Sequence, residues 1–276
     1  MTYEDHLLTP EEVLVHYGIL GMHWGIRKEL VTTGLKPKTD GIFFNKDGSI
    51  YIKAGSNLQR LTRSNDKSMP LKDITYASIN EYDNARYIKI IGGKGFFGGG
   101  RNQIMTIQAI KDIKAPSRDE AIRLVSDLML NDSVFRNKNT NILGASINSR
   151  ELSSIRKDPI GKTANAWYDQ TNIKLTFDKK FDPNAPYIQK VVRDTMKSKG
   201  YNALRDENDV MSKIAKAPII IFNPEESLKV VRVTNITDQI RSANKEKLKE
   251  YKRQGKTWLD VELYNQQVMH FDTQGP

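Results

Sequence analysis

The amino-acid sequence predicts a mixed α/β domain of the α+β class over residues 48–236, and three observations carry that prediction. Strand-like apolar runs stand at both ends of this stretch, and the strongest helical periodicities lie between them. Turn signals, among them Asp47-Gly48 and Gly200, separate the runs. Strands first, helices next and strands last fit a layered α+β architecture better than a bundle.

The totals set the outer bounds. A chain of 276 residues buries enough apolar surface to fold without staples. It has no cysteine, which excludes disulfides and thiolate metal sites, and its four scattered histidines assemble no ligand spacing, so no metal is expected. The formal charge of +10 favours polyanionic partners such as nucleic acid or acidic protein surfaces. No apolar run reaches the roughly 18 residues of a membrane span. Glu4 and Asp5 stand where a secretory signal is basic, so a soluble protein made in a cytoplasm is expected.

Each element has its own signal. Residues 49–63 alternate as a strand or hairpin leading into Arg60, and Thr75-Tyr76-Ala77-Ser78 reads as a second short strand. Asn80 caps a helix through Tyr87, with Tyr82 and Ala85 at helical spacing. The glycine-rich run 92–101 lacks the Gly-Lys-Ser/Thr ending of a phosphate loop and reads as a hairpin tip, and residues 103–110 are β-like. Ser117-Arg118-Asp119-Glu120 has the form of a capping box, after which Ala121, Ile122, Leu124, Val125, Leu128 and Met129 recur with a helical period. A further helix follows Pro186, with Ile188, Val191, Val192 and Met196 on one face and Gly200 at its end. Residues 201–204, 218–222 and 229–233 read as three strands, and the charged stretch 238–254 as a solvated helix. The chain divides into an N-terminal segment and linker, 1–47, a domain, 48–236, and a C-terminal helical extension, 237–276. Its apolar tail, 258–264, docks on the domain or on another subunit.

At the N-terminus, Thr9, Pro10 and Glu12 mark a short helix that Gly18 stops. The following segment packs glycines among large apolar side chains, either as anchors for an interface or against its own domain. The string His16-Tyr17-Gly18-Ile19-Leu20-Gly21-Met22-His23-Trp24-Gly25-Ile26-Arg27 resembles the His-Tyr-Gly-x-x-Gly-Met-x-Trp-Gly-x-Arg tag of tailed-bacteriophage structural and head-associated proteins. It departs from that tag at His23, where Lys is commoner. The resemblance implies location in the virion and the host cytoplasm, with contact to other virion proteins through Tyr17, Met22, Trp24 and Arg27. Residues 29–47 read as a linker.

Four motifs in the central stretch carry a second resemblance. Ala54-Gly55-Ser56-Asn57-Leu58-Gln59-Arg60 is similar to the Gly-(Ser/Thr)-x-(Leu/Phe)-x-Arg strand that opens phage and toxin ADP-ribosyltransferase domains. Tyr76-Ala77-Ser78, followed by the stretch to Tyr87, is similar to their serine-bearing second element. Lys199-Gly200-Tyr201-Asn202-Ala203-Leu204 and the run Ile219-Ile220-Ile221-Phe222-Asn223-Pro224-Glu225-Glu226-Ser227-Leu228-Lys229 resemble their Gly-Tyr-Asp-(Ala/Gly)-Ile and Val-Val-Phe-(Asp/Asn)-Pro-x-x-(Ile/Leu)-Lys signatures.

The resemblance implies NAD as cosubstrate, with Arg60 on the pyrophosphate and ribose, Ser78 fixing the nicotinamide ribose, and Tyr87 beside them. A carboxylate would stabilise the oxocarbenium-like centre as nicotinamide leaves. Here the sequence departs from the family: Lys216-Ala217-Pro218-Ile219 has no acid where Glu usually stands. The nearest acids are Glu207 and Asp209, with Glu225 and Glu226 beyond the strand. Two functions stay open. Either Glu207 or Asp209 serves transfer of ADP-ribose to a host protein acceptor, or the protein is a non-catalytic structural or accessory virion component. The latter would use its tag and positive charge for assembly or contact with packaged DNA.

Overall fold

A computed structural model describes residues 41–254, except 46, 64–73, 93–100, 142, 178, 208, 210–213, 216 and 217. The tag, the body of the glycine-rich tip and the tail 258–264 lie outside the described residues.

The Asp47-Gly48 signal produces the turn it predicts. Gly48 takes φ +85°, which a side chain would strain, and the Asp47 carboxylate accepts the Ser49 N–H at 2.9 Å. The turn folds β1 (Ile42–Phe44) back on β2 (Ile50–Ile52), with Ile42 opposite Ile52. The linker reading of 29–47 is thereby corrected at its end. Ile42-Phe43-Phe44 is one arm of a hairpin, and Ile42 and Phe43 are buried.

After β2 the chain forms β3 (Asn57–Arg63), β4 (Ile74–Ala77), β5 (Arg101–Ala109) and β6 (Ile113–Ala115), then later β7 (Ala203–Arg205), β8 (Ile219–Phe222) and β9 (Leu228–Asn235). These make three antiparallel three-stranded sheets, ordered β1-β2-β6, β4-β8-β7 and β3-β5-β9. Gln59 and Ser78 exchange backbone hydrogen bonds of 3.1 and 2.7 Å, which set β3 beside β4. Asn202 ties β6 to β7, its N–H donating to Lys114 O at 3.1 Å and its Oδ1 accepting the Lys114 N–H at 2.7 Å. The strands therefore follow one another as β1-β2-β6-β7-β8-β4-β3-β5-β9.

Helix α1 (Glu81–Ile91) starts at Asn80, whose side chain accepts the Asp83 N–H at 2.7 Å. Helix α2 (Arg118–Asn131) starts at Ser117, but only half of the expected capping box forms. The Glu120 carboxylate accepts the Tyr201 hydroxyl at 2.7 Å instead, because β7 enters just beside it. Four more helices complete this layer: α3 (Ser133–Lys138), α4 (Ser149–Lys157), α5 (Lys162–Leu175) and α6 (Ala185–Ser198). Gly200 ends α6 at φ +83°.

Strand β8 divides two cores by its alternation. Ile220 and Phe222 pack with Ile122, Met129, Trp167 and Val192 of the helical layer, whereas Ile219 and Ile221 pack with Leu58, Ile107 and Ile113 inside the curve of the sheet. A strand buried on both faces explains its uninterrupted Ile-Ile-Ile-Phe run. Beyond the one-turn α7 (Pro224–Ser227) and β9, α8 (Asp238–Arg253) lies on α1. Asn244 Nδ2 donates to Ala85 O at 2.7 Å, and the Tyr82 and Tyr251 rings meet edge to face at 5.8 Å. The charged extension is joined to the domain through a narrow buried stripe of Ile240, Asn244 and Tyr251. Among the described residues no helix is long and apolar enough to cross a membrane, and no cluster of His, Asp and Glu is arranged to hold a metal ion.

Candidate functional site

The four strands β7, β8, β4 and β3 are consecutive neighbours, and they carry the four motifs singled out above. Strand alternation decides which side chains share a face. Arg60 stands with Leu58 and Thr62 on β3, on the face of Thr75 and Ala77 on β4. Its Nη1 reaches Thr75 Oγ1 at 3.4 Å. Ser78 is buried on the opposite face with Tyr76, so these two candidate residues occupy adjacent strands without sharing a side. Arg205 leaves β7 on the Arg60 face, beside Ala203, with its guanidinium 5.8 Å from the Phe44 ring. Strands β4 and β8 separate Arg60 from Arg205, roughly 14 Å along the sheet at ~4.8 Å per strand.

Behind β4 lies a buried polar knot. The Tyr76 hydroxyl donates to Asp206 Oδ2, and at 3.4 Å to Asp209 Oδ1. Tyr87 on α1 donates to Asp209 Oδ2 at 3.0 Å, and that oxygen also accepts the N–H groups of Ile214 and Ala215 at 3.1 and 3.3 Å. Asp209 is 3% exposed and adopts φ +46°, a conformation that Asp tolerates better than most residues. Burial, followed by the neighbouring carboxylates, pushes both tyrosine hydroxyls far above their ordinary range, so they remain donors. Two candidate residues, Tyr87 and Asp209, are thus brought together, as parts of a structural clasp that fixes the loop after β7.

Glu207 has a different setting. It is 29% exposed and lies between Arg118 Nε at 3.4 Å and Arg205 Nη2 at 3.7 Å. Arg118 also donates to Asp169 at 2.9 Å and, through two nitrogens, to Asn165 at 3.2 and 3.1 Å. Its guanidinium lies 5.2 Å from the Tyr168 ring centre. Burial alone would lower the Arg118 pKa, but the Asp169 hydrogen bond and the surrounding charges outweigh it and raise it further. Tyr168 is fully buried and donates to Arg205 O at 3.2 Å, and burial raises its pKa well beyond the usual range.

Sequence reasoning did not single out Arg118, Asp169, Arg205 or Tyr76. One signal was present for Arg118. A cation at the first position of a helix opposes the macrodipole, which marks a residue retained for contacts elsewhere. Asp169 meets Arg118 across 51 residues, Tyr76 meets Asp209 across 133 and Arg205 meets Tyr168 across 37, separations at which no local pattern reads.

Among known proteins, residues 8–29 match a family described as a Family of unknown function (DUF7211). That match falls on the N-terminal segment that contains Tyr17, Met22, Trp24 and Arg27, outside the described residues. No curated protein matches the chain, and no solved structure does.

Proposed function

We propose that this chain is a tailed-phage virion protein whose folded part is an ADP-ribosyltransferase-like domain that takes NAD on the Arg60 face of the sheet and transfers ADP-ribose to a host acceptor. The observation that carries the reading is the neighbourhood of the motifs. Four sequence signatures spread over residues 54–229 are centred on consecutive strands, which unrelated short matches have no reason to be. Arg60, with the Thr62 and Thr75 hydroxyls on its face, supplies donors for a pyrophosphate. Ser78, Tyr87 and Asp209 lie behind the strand and hold its shape. Glu207 is the partly exposed carboxylate, positioned by Arg118 and Arg205. In the reaction the bond from C1′ of the ribose to nicotinamide breaks, nicotinamide leaves with the electron pair, and an acceptor nucleophile bonds to C1′. Residues 8–29 serve as the virion address.

A second reading, an accessory virion component without catalysis, draws on two observations. Pro218 occupies the region where an acid is expected, and Asp209 already accepts from four donors. Incubation of the full chain with labelled NAD and host lysate separates the two. Under the transfer reading, Arg60→Ala and Glu207→Gln each reduce labelling by about 10²-fold, the scale of removing one electrostatic stabiliser. Absence of both transfer and NAD hydrolysis in the unmodified protein leaves the accessory reading.

A further inference from the structure

We propose that the groove between α1 and α8 is a docking surface for the phosphate backbone of duplex DNA. The groove measures about 390 Å³, and five cations line it: Lys89 from α1, and Arg241, Lys245, Lys249 and Lys252 from α8. Among the described residues no carboxylate lines it. Ile88 and Leu248 contribute the apolar part of its lining.

The spacing makes this a stripe rather than a scatter. Positions 241, 245, 249 and 252 recur at intervals of four, four and three residues, so they rise along one side of the helix. At ~1.5 Å per residue the stripe is about 16 Å long, and a DNA strand presents a phosphate every ~3.4 Å of its axis. The four lysines are exposed. Asp238 pairs with Arg241 at 3.6 Å and Glu246 with Lys249 at 2.7 Å, and neither acid faces the groove. Among the described residues Lys89, Lys245 and Lys252 make no ion pair.

The geometry selects the partner. A single-stranded nucleic acid is held by stacking its bases on exposed aromatic rings. Here the nearby rings are engaged with each other, since Tyr251 is buried edge-on against Tyr82. Among the described residues the cationic stripe has no stacking platform, which fits a backbone whose bases are already paired. The apolar strip is too small to anchor a protein, because stable protein interfaces bury about 800 Å² per partner. This surface is independent of the NAD reading: none of its lining residues belongs to that site.

The test uses the full chain and a mixed-sequence duplex of about 30 base pairs labelled for fluorescence anisotropy, titrated between about 50 and 200 mM salt. Five phosphate contacts predict a log–log salt slope near −4.5, hence about 500-fold weakening across that range. The triple variant Lys245→Ala, Lys249→Ala, Lys252→Ala retains two contacts, with a slope near −1.8 and about 12-fold weakening. Alanine at exposed helix positions preserves the fold, and circular dichroism checks it. A charge-matched control on α6 and its C-cap, Lys190→Ala, Lys197→Ala, Lys199→Ala, keeps the unmodified slope. The proposal is overturned if the α8 variant keeps the full slope, if the α6 control loses as much, or if poly-glutamate binds as tightly as duplex and responds to the same variant.

Discussion

Replacing Asp209 by alanine removes the acceptor on which the loop after β7 is built, and its cost can be worked from the contacts. The Ile214 and Ala215 N–H groups, both buried, and the Tyr76 and Tyr87 hydroxyls lose a charged partner. Each buried donor left without an acceptor costs about 1–3 kcal/mol, less where a partner remains, as Asp206 does for Tyr76. Alanine at φ +46° adds about 1–2 kcal/mol of left-handed backbone strain. The expected loss is about 4 kcal/mol, a large share of the ~5–15 kcal/mol that stabilises a domain. For a domain of this size that is about 8–16 °C in Tm. Asp209→Asn keeps one acceptor oxygen and a residue that tolerates positive φ, so it should lose only about 1–2 kcal/mol. Urea unfolding followed by circular dichroism measures both. An alanine variant within about 0.5 kcal/mol of the unmodified protein refutes the clasp. An asparagine variant that keeps its stability but loses all NAD-dependent labelling returns Asp209 to a catalytic role.

Two further outcomes follow from the packing. Lys174 and Asp182 form a largely buried ion pair; burial would raise the Asp182 pKa, but the Lys174 ammonium and the Asn184 N–H outweigh it and depress it. A depressed carboxylate contributes stability above its unfolded pKa of about 3.9 and loses it as pH falls through the folded value, so the gap in urea midpoint between the unmodified protein and Asp182→Asn should shrink below about pH 4; a gap that persists there contradicts the pairing. At Gly92, a Cβ would overlap the Ile88 carbonyl oxygen and stand 2.9 Å from Ile88 Cα, so Gly92→Ala should unwind the last turn of α1 and cost about 1–3 kcal/mol, and an unchanged Tm would count against this close approach.

Local signals were legible where one short stretch decides its own conformation. Asn80 and Ser117 cap the helices they were expected to cap, and the apolar period of α2 and α6 matches their buried faces. The unbroken apolar run of β8 matches its burial on both sides. Helix α5 escaped notice because its buried face is built from Trp167, Tyr168, Thr171 and Asn172, which do not form an apolar stripe. Strand β6 has only Ile113 and Ala115 pointing inward, too little for a pattern. In the candidate site, Arg60, Ser78 and Tyr87 could be named from motifs, and Glu207 and Asp209 only as the acids nearest a motif that lacks its own. Their faces could not, because register decides which side of a strand a residue occupies, and the bond between Gln59 and Ser78 is tertiary.

The chain places its positive charge in two arrangements, and salt distinguishes them. Around Glu207, Arg118 and Arg205 are partly buried and matched by carboxylates, so their mutual field acts over a few ångströms within protein. Along α8 Lys245, Lys249 and Lys252 are exposed, and the cations of the helix outnumber its acids. At 0.15 M salt the screening length is about 8 Å, which weakens the second arrangement strongly and the first little. Raising salt to about 0.3 M should therefore release duplex from the α8 groove while leaving the Tm set by the Arg118 contacts nearly unchanged. Conversely, Arg118→Ala should lower the Tm through the loss of its Asn165, Asp169 and Glu207 partners and leave the salt slope of DNA binding intact. If both variants moved both readouts, the cations would form one continuous surface, and the division between a structural network and a docking stripe would fail.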